Sequence, residues 1–316
     1  MPINLHIIAS CTERKRGHVP RELHLGMVHD LDLNVRAHRW WSALQTHPHP
    51  PCPARDLYAG DHWRVILELP ALAAQAHLRP QLWVASAGYG LVHIDAALRP
   101  YSATFARRHT DSVASGVLTR SAAFAHQEWW HALSRQPGPA PAAPRSIQLL
   151  AESTPHARIL VVASPTYVEA MKEDLLLAAR TLNRPEHLLI VSTPSPLSKG
   201  KLAPHWIPSN AHLQVQLGGA RQSLHARVAR HILQHGRRLD ALELQRYYAQ
   251  LIQRSAPPER YNRTPMTDDE VRQFIVRAQR TETLSYTAAL RRLRGSGLAC
   301  EQQRFKRLFT ETRERT

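Results

Sequence analysis

Apolar residues along the chain fall into two kinds of run. Short runs rich in isoleucine, valine and leucine, bounded by polar loops, predict buried strands over residues 4–9 (NLHIIA), 81–85, 158–163 (RILVVA) and 187–191 (HLLIV), with a further strand over 212–217. Between them, apolar residues recur at helical spacing and predict helices over 30–45, 61–76 and most of 112–134. Strands that alternate with helices imply right-handed crossovers, so the predicted fold class is α/β, a three-layer sandwich with a mostly parallel central sheet. The stretch 136–146 (QPGPAPAAPRS) is read as a proline-rich surface loop within the core domain, because the strand pattern resumes beyond it.

From Gly219 onward the pattern is helical only, with amphipathic segments at 221–235 and 239–254 and a proline-marked break at 255–267. The predicted division is a core of residues 1–255 and a helical unit of residues 256–316. In the latter, helices are expected over 267–280, 286–294 and 298–313. The last two are separated by Gly295-Ser296-Gly297, which matches a helix-turn-helix pattern.

Charge adds a partner to this picture. The 316 residues carry 41 Lys and Arg against 25 Asp and Glu, a net charge of +16 with histidines neutral. A field of that size favours a polyanion, since each phosphate neutralised releases counterions, and DNA is the expected partner. Hydrophobic residues make up 43% of the chain, enough to form a core. The three cysteines, Cys11, Cys52 and Cys300, are far apart and odd in number, which argues against a disulfide framework and for a reducing, cytoplasmic setting. No signal peptide or membrane-spanning stretch is visible, and no membrane partner is expected. The string His47-Pro48-His49-Pro50-Pro51-Cys52 has no second ligand pair at zinc spacing. Walker and GxGxxG loops are missing, so neither metal nor cofactor is expected.

In a parallel sheet, ligands bind beyond the carboxyl ends of the strands. The loops predicted there are SCTERKR (10–16), ARDLYAGDHW (54–63), ASAGYGLV (85–92) and RPYSATF (99–105). They offer carboxylates at Asp56 and Asp61, with Asp95 close by. They also offer aromatic faces at Tyr58, Tyr89 and Tyr101, and small or polar groups at Ser10, Cys11 and Gly88. Such a set suits base chemistry. Breaking a base–sugar bond makes a cationic sugar, which a carboxylate stabilises, and an anionic base, which donors stabilise. The base must first leave the stack and be held by stacking and edge hydrogen bonds. Asp61 equally suits a helix cap, the tyrosines equally suit a core, and Cys11 reads as a buried thiol or as a nucleophile beside Arg14 and Lys15.

These four segments resemble, in the same order, those of the bacterial family related to the peroxide-stress protein YaaA. The resemblance spans about the first hundred residues. That family is similar to domains accompanying deazaguanine transglycosylases and to the uracil-DNA glycosylase fold. A second segment, TPSPLS (193–198), follows the strand HLLIV and resembles the HPSPLS loop of uracil-DNA glycosylases. The resemblance implies that Ser195 grips a phosphate and Leu197 wedges into the duplex, with Ser198, Lys199 and Lys201 alongside on DNA. Thr193 stands where that family has its base-stabilising His, and the family's water-activating Asp motif has no clean match in the first loop. The string LRGSGLACEQQRFKRLF (293–309) resembles a segment of relatives of the YaaA-related family.

The resulting expectation is a DNA glycosylase that flips out and excises a modified base, as anti-phage glycosylases do. Asp56, Asp61 and Asp95 are its candidate catalytic carboxylates. Ser10, Cys11, Tyr58, Gly88, Tyr89 and Tyr101 are expected on the base. Arg14, Lys15 and Arg16, with Arg291, Arg294, Arg304 and Arg307 of the helical unit, are expected on the backbone. A non-catalytic DNA-binding stress protein and a deazaguanine-type base-exchange enzyme are the alternatives.

Overall fold

A computed structural model describes residues 2–236, 238–257, 262–282 and 284–314. The chain divides into two compact units, residues 1–257 and 258–316. The first is built around strand β1 (Ile3–Ser10), in which Leu5, Ile7, Ile8 and Ala9 are fully buried. Neighbouring side chains of a strand point to opposite faces, so burial of both Ile7 and Ile8 means that both faces of the sheet are covered. The other strands of its central sheet are β2 (Leu78–Ser86), β3 (Gly90–His93), β4 (Arg158–Val162), β5 (Leu188–Ser192) and β6 (Trp206–Pro208). The sheet order is β3-β2-β1-β4-β5-β6, parallel throughout except for β3, which pairs antiparallel with β2.

The longer helices are α1 (Leu33–Thr46), α2 (Asp61–Gln75), α3 (Ala122–Ser134), α4 (Ile147–Ser153), α5 (Pro165–Ala170), α6 (Lys172–Thr181), α7 (Leu224–Gln234) and α8 (Ala241–Arg254). Helix α2 packs on α7, α3 packs on both α1 and α5, and α4 packs on α6. Side chains that accept from the first free amides start four of them: Asp32 for α1, Ser121 for α3, Ser146 for α4 and Asp240 for α8. No helix among the described residues is long and apolar enough to cross a membrane.

Two local expectations are corrected in this unit. Helix is confined to Ala122–Ser134, and the stretch before it runs as turns that bury Asp111 and Ser112. Residues 212–217 form helical turns, because the Asn210 side chain accepts from His212 N at 3.0 Å and starts a turn. The apparent alternation there leaves Val215 76% exposed, which no half-buried strand would do. The sixth strand is instead Trp206–Pro208. Strand β3 is short and follows a tight turn in which Ser86 Oγ accepts from Gly88 N and Tyr89 N, and Gly90 supplies a φ of +72°.

The second unit holds α9 (Asp268–Thr281), α10 (Tyr286–Gly295) and α11 (Gln302–Glu314). Its core is Val271, Ile275, Leu290, Leu293, Phe305, Leu308 and Phe309. A reciprocal Thr267–Glu270 capping box opens α9. Helix α11 starts at Gln302 rather than at 298. Leu298 and Ala299 pair in parallel with Thr264 and Pro265, and Glu301 accepts from Gln303 N and Arg304 N.

Within the first unit, one cation closes the proline-rich stretch onto the sheet. The buried Arg145 guanidinium donates to the carbonyls of Tyr89 (2.5 Å), Leu91 (2.6 Å), Leu133 (3.2 Å) and Gln136 (3.2 Å). Burial pulls its pKa down to about 10, so it stays charged at neutral pH. Removing it strands several buried carbonyls. Arg145→Ala is therefore expected to cost roughly 3 kcal/mol, read as a lowered urea midpoint at unchanged slope. A change under about 0.5 kcal/mol would show that the loop is not held this way.

Candidate active site

Strand β1 is flanked by β2 on one side and β4 on the other, and successive connections leave it in opposite directions. A sheet of this kind opens a crevice beyond the carboxyl ends of β1 and β4. Cys11 lies there, its amide continuing the ladder to Ala85 O at 2.9 Å. Two phenols reach it, the partly buried Tyr167 and the buried Tyr101, and a third, Tyr58, is bonded to Tyr101. Tyr167 Oη of α5 lies 3.0 Å from Cys11 Sγ, and Tyr101 Oη lies 3.5 Å from the same sulfur. Tyr101 also meets Ser86 Oγ at 2.7 Å and Tyr58 Oη at 3.0 Å. Burial holds the pKa of all three phenols well above the ordinary value, so this is a chain of neutral hydroxyls that can relay protons but carries no charge.

The sequence predicted Tyr58, Tyr89 and Tyr101 as stacking faces for a base. The structure places all three in the core, at 0%, 3% and 0% exposure. Tyr101 packs edge-to-face with Trp40, Tyr58 and Tyr89, and Gly88 lies so close that a Cβ there would overlap its ring. Trp40 and Trp129 donate to the carbonyls of Gly88 and Ala87 and lock that turn. Tyr89 Oη is taken up by the Arg99 amide at 2.9 Å. Ser10 is buried, and its carbonyl accepts from His62 Nε2 at 3.2 Å. Ser10, Cys11, Tyr58, Gly88, Tyr89 and Tyr101 thus do come together, as the floor and wall of the crevice rather than as an open platform.

A buried carboxylate close to Lys15 is one that the sequence did not single out. Asp111 is 3% exposed. Its Oδ1 accepts from Gly26 N at 2.9 Å; its Oδ2 accepts from Ser102 Oγ at 2.6 Å and pairs with His24 Nδ1 at 2.9 Å. Burial alone pushes its pKa up, but those hydrogen bonds and the His24 ring outweigh it and hold Asp111 below the ordinary carboxylate range. It is therefore an ionised group at neutral pH. The Asp111 amide donates to His109 Nδ1 at 3.0 Å, and His109 Nε2 faces Glu13 at 3.6 Å. Asp111, His24, Thr110, His18 and Arg21 line a cavity of about 570 Å³. The segments around it are pinned by Arg36, whose buried guanidinium donates to the carbonyls of Leu25, Val28, Val113 and Ser115. The signal in the sequence was the run Arg107 to Ser112, which contains no apolar residue and cannot belong to an amphipathic helix.

Lys15 reaches over this corner. Its backbone forms an antiparallel bridge with Tyr58, and Nζ sits 4.4 Å from the Tyr101 ring centroid. Burial lowers its pKa, opposed by Cys11, Glu13 and Asp111. Arg14 and Arg16 on either side are exposed.

The three predicted carboxylates lie elsewhere. Asp56 and Asp95 line a separate cavity of about 580 Å³ with Arg16 and His93, and Asp95 is paired with Arg55. Asp61 is held by Ser223 Oγ at 2.5 Å, by Arg227 at 2.7 Å and by Arg64 at 2.8 Å. Those contacts hold its pKa far below the usual value and tie α2 to α7. Ser195 caps a turn after β5 by accepting from Leu197 N, and Ser198 Oγ donates to Ser195 O. Leu197 is partly buried against the main core, while Lys199 and Lys201 are exposed. In the second unit Arg291 is exposed. Arg294 donates to Cys300 O, Arg304 pairs with Asp268, and Arg307 pairs with both Asp268 and Glu311. No group of three or more His, Cys, Asp or Glu side chains among the described residues is placed to hold a metal.

No known protein family, curated protein or solved structure matches the chain.

Beside the floor, His62 and His225 stack at 4.7 Å, and burial lowers their pKa to about 4 and about 3. A histidine kept neutral by the fold contributes stability that is complete above the unfolded value near 6.5 and is lost as pH falls toward the folded values. Unfolding free energy is therefore expected to fall between pH 6.5 and 4 by up to about 1.4 kcal/mol per pH unit for each histidine. His225→Leu should flatten that slope by about one proton, and an unchanged slope would contradict the assignment.

Proposed function

We propose that the chain is a DNA glycosylase of the uracil-DNA glycosylase-like type, in a three-layer form, that excises a flipped and modified base, with anti-phage defence as its setting. The observation that carries this reading is Asp111. It is a buried, ionised carboxylate beside an imidazole, at the lip of a cavity whose volume suits one nucleobase with its sugar. In the proposed reaction the Asp111 carboxylate faces the sugar and stabilises positive charge as the glycosidic bond breaks. It also orients the attacking water. His24 and His109 stand beside it as donors to the departing base anion, a role that the position of Thr193 leaves open.

The net charge of +16 supports a nucleic-acid partner. Arg14 and Arg16 by the crevice, and Lys199 and Lys201 after β5, are exposed cations for the phosphates. The helical unit serves as a second, helix-turn-helix-like grip in this reading. Exposed Arg291 and Arg292 are its contacts, because Arg304 and Arg307 are committed to Asp268 and Glu311. With Tyr58, Tyr89 and Tyr101 enclosed, the extruded base is read by polar edges rather than by those rings. The enclosure of the rings also favours the second reading, a DNA-binding protein without catalysis.

Base release separates the two. Purified protein is incubated with plain duplex and with heavily modified phage DNA. Abasic sites are detected by alkaline cleavage and freed base by mass spectrometry. The expected result is release from modified DNA only, with His24→Ala slowed by about 100-fold. Salt-sensitive binding to both DNAs with release from neither would leave the binding protein.

A further inference from the structure

Lys15 stands at the crevice, and the proposed excision does not use it. Its ammonium is half-buried, yet among the described residues Nζ makes no ion pair and no hydrogen bond, only the contact with the Tyr101 face at 4.4 Å. Most lysines placed this deep are answered by a carboxylate. Here the neighbouring acids are held off by other partners: Asp111 by Gly26, Ser102 and His24, and Glu13 by His109. The backbone bridge to Tyr58, with Arg16 N donating to Leu57 O and Ala59 N to Arg14 O, fixes the residue in place. An amine held over an aromatic face without an acceptor is built as a nucleophile rather than as a point charge for phosphate.

We infer that Lys15 forms a Schiff base with the aldehyde of an abasic sugar and cleaves the strand by β-elimination. This rests on the proposal that the site handles DNA from which a base has been removed. The neutral amine adds to C1′ of the ring-opened sugar, and a proton taken up from solvent lets the C1′ oxygen leave as water, giving the protonated imine; that proton is returned when the imine is hydrolysed. A carboxylate, Asp111 or Glu13, takes the C2′ proton. The electron pair of that C–H bond forms the C2′–C3′ double bond, and the 3′-phosphate departs with the electrons of the C3′–O bond. Water then hydrolyses the imine, returning the amine and an unsaturated aldehyde at the strand end. No oxidant, reductant or metal is consumed. Burial that lowers the Lys15 pKa increases the share of neutral amine available for the first step.

The test supplies the abasic site ready-made, so it does not depend on base release. The full chain is mixed with duplex DNA carrying one abasic site and treated with borohydride, which reduces an imine to a stable amine. The expected outcome is a covalent protein–DNA adduct on a denaturing gel, mapped to Lys15 by peptide mass spectrometry. Lys15→Arg keeps the positive charge but has no amine of that kind, and should lower the adduct by more than about tenfold. Lys172→Arg, on α6 and paired with Glu173, should leave it unchanged. Thermal unfolding of Lys15→Arg shows whether the variant is folded. No adduct from the wild type, or an equal adduct from folded Lys15→Arg, would overturn the inference. An adduct at Lys15 without any base release from modified DNA would support the inference and count against the excision reading alone. Base release without an adduct would do the reverse.

Discussion

Strand β1 is the constraint on which the first unit is built. It is paired on both edges and covered on both faces, so Leu5, Ile7, Ile8 and Ala9 are aliphatic, and the buried His6 between them is answered by Thr154 and by the Trp83 indole N–H. Burying each of Leu5, Ile7 and Ile8 contributes on the order of 1.5–3 kcal/mol, and that burial sets the register of β2 and β4 against it. Once β1 is central, its carboxyl end must lie where the sheet's connections diverge, and the loop from Cys11 to Arg16 is presented there whatever its chemistry.

The crevice is organised by two answers to buried polarity. The phenols of Tyr58, Tyr101 and Tyr167 solve theirs by bonding to one another, to Ser86 and to Cys11, which keeps them neutral. Asp111 keeps its charge, because one amide, one hydroxyl and one imidazole are aimed at it, and Arg36 fastens the loops that carry them. An isolated buried carboxylate would neutralise instead. Holding an anion preorganised beside a cavity is what electrostatic stabilisation of a cationic sugar requires. Asp111 lines its cavity together with Arg21, His18 and His24, and the neutral phenols of the neighbouring floor add no competing charge.

What could be read from the sequence follows the same physics. Strands β1, β2, β4 and β5 stood out because strands buried on both faces are unbroken aliphatic runs. Strand β3 was hidden, since the four residues Gly90–His93 are too few to carry a periodic signal. The strand expected over 212–217 failed because alternation of apolar and polar residues does not say whether both apolar positions are covered; Leu213 is buried and Val215 is not. The strand-end loops were legible as a set and do gather, but the direction of each ring was not. Residue type alone does not distinguish a tyrosine that offers its face from one that closes a core. Asp111 was missed because it stands immediately before a stretch expected to be helical, where an Asp reads as a cap. Its role depends on Gly26, Ser102 and His24, which lie far from it along the chain.

The most direct test of the account is a comparison of carboxylates. Single-turnover formation of abasic sites in modified DNA is measured for Asp111→Asn, Asp56→Asn and Asp95→Asn, with DNA binding followed in parallel. If Asp111 is the group at the sugar, Asp111→Asn loses about 100-fold or more in rate while still binding DNA, and the other two stay within about threefold of wild type. Full activity in Asp111→Asn, or loss confined to Asp56→Asn or Asp95→Asn, would contradict the account and move the chemistry to the cavity lined by Asp56 and Asp95.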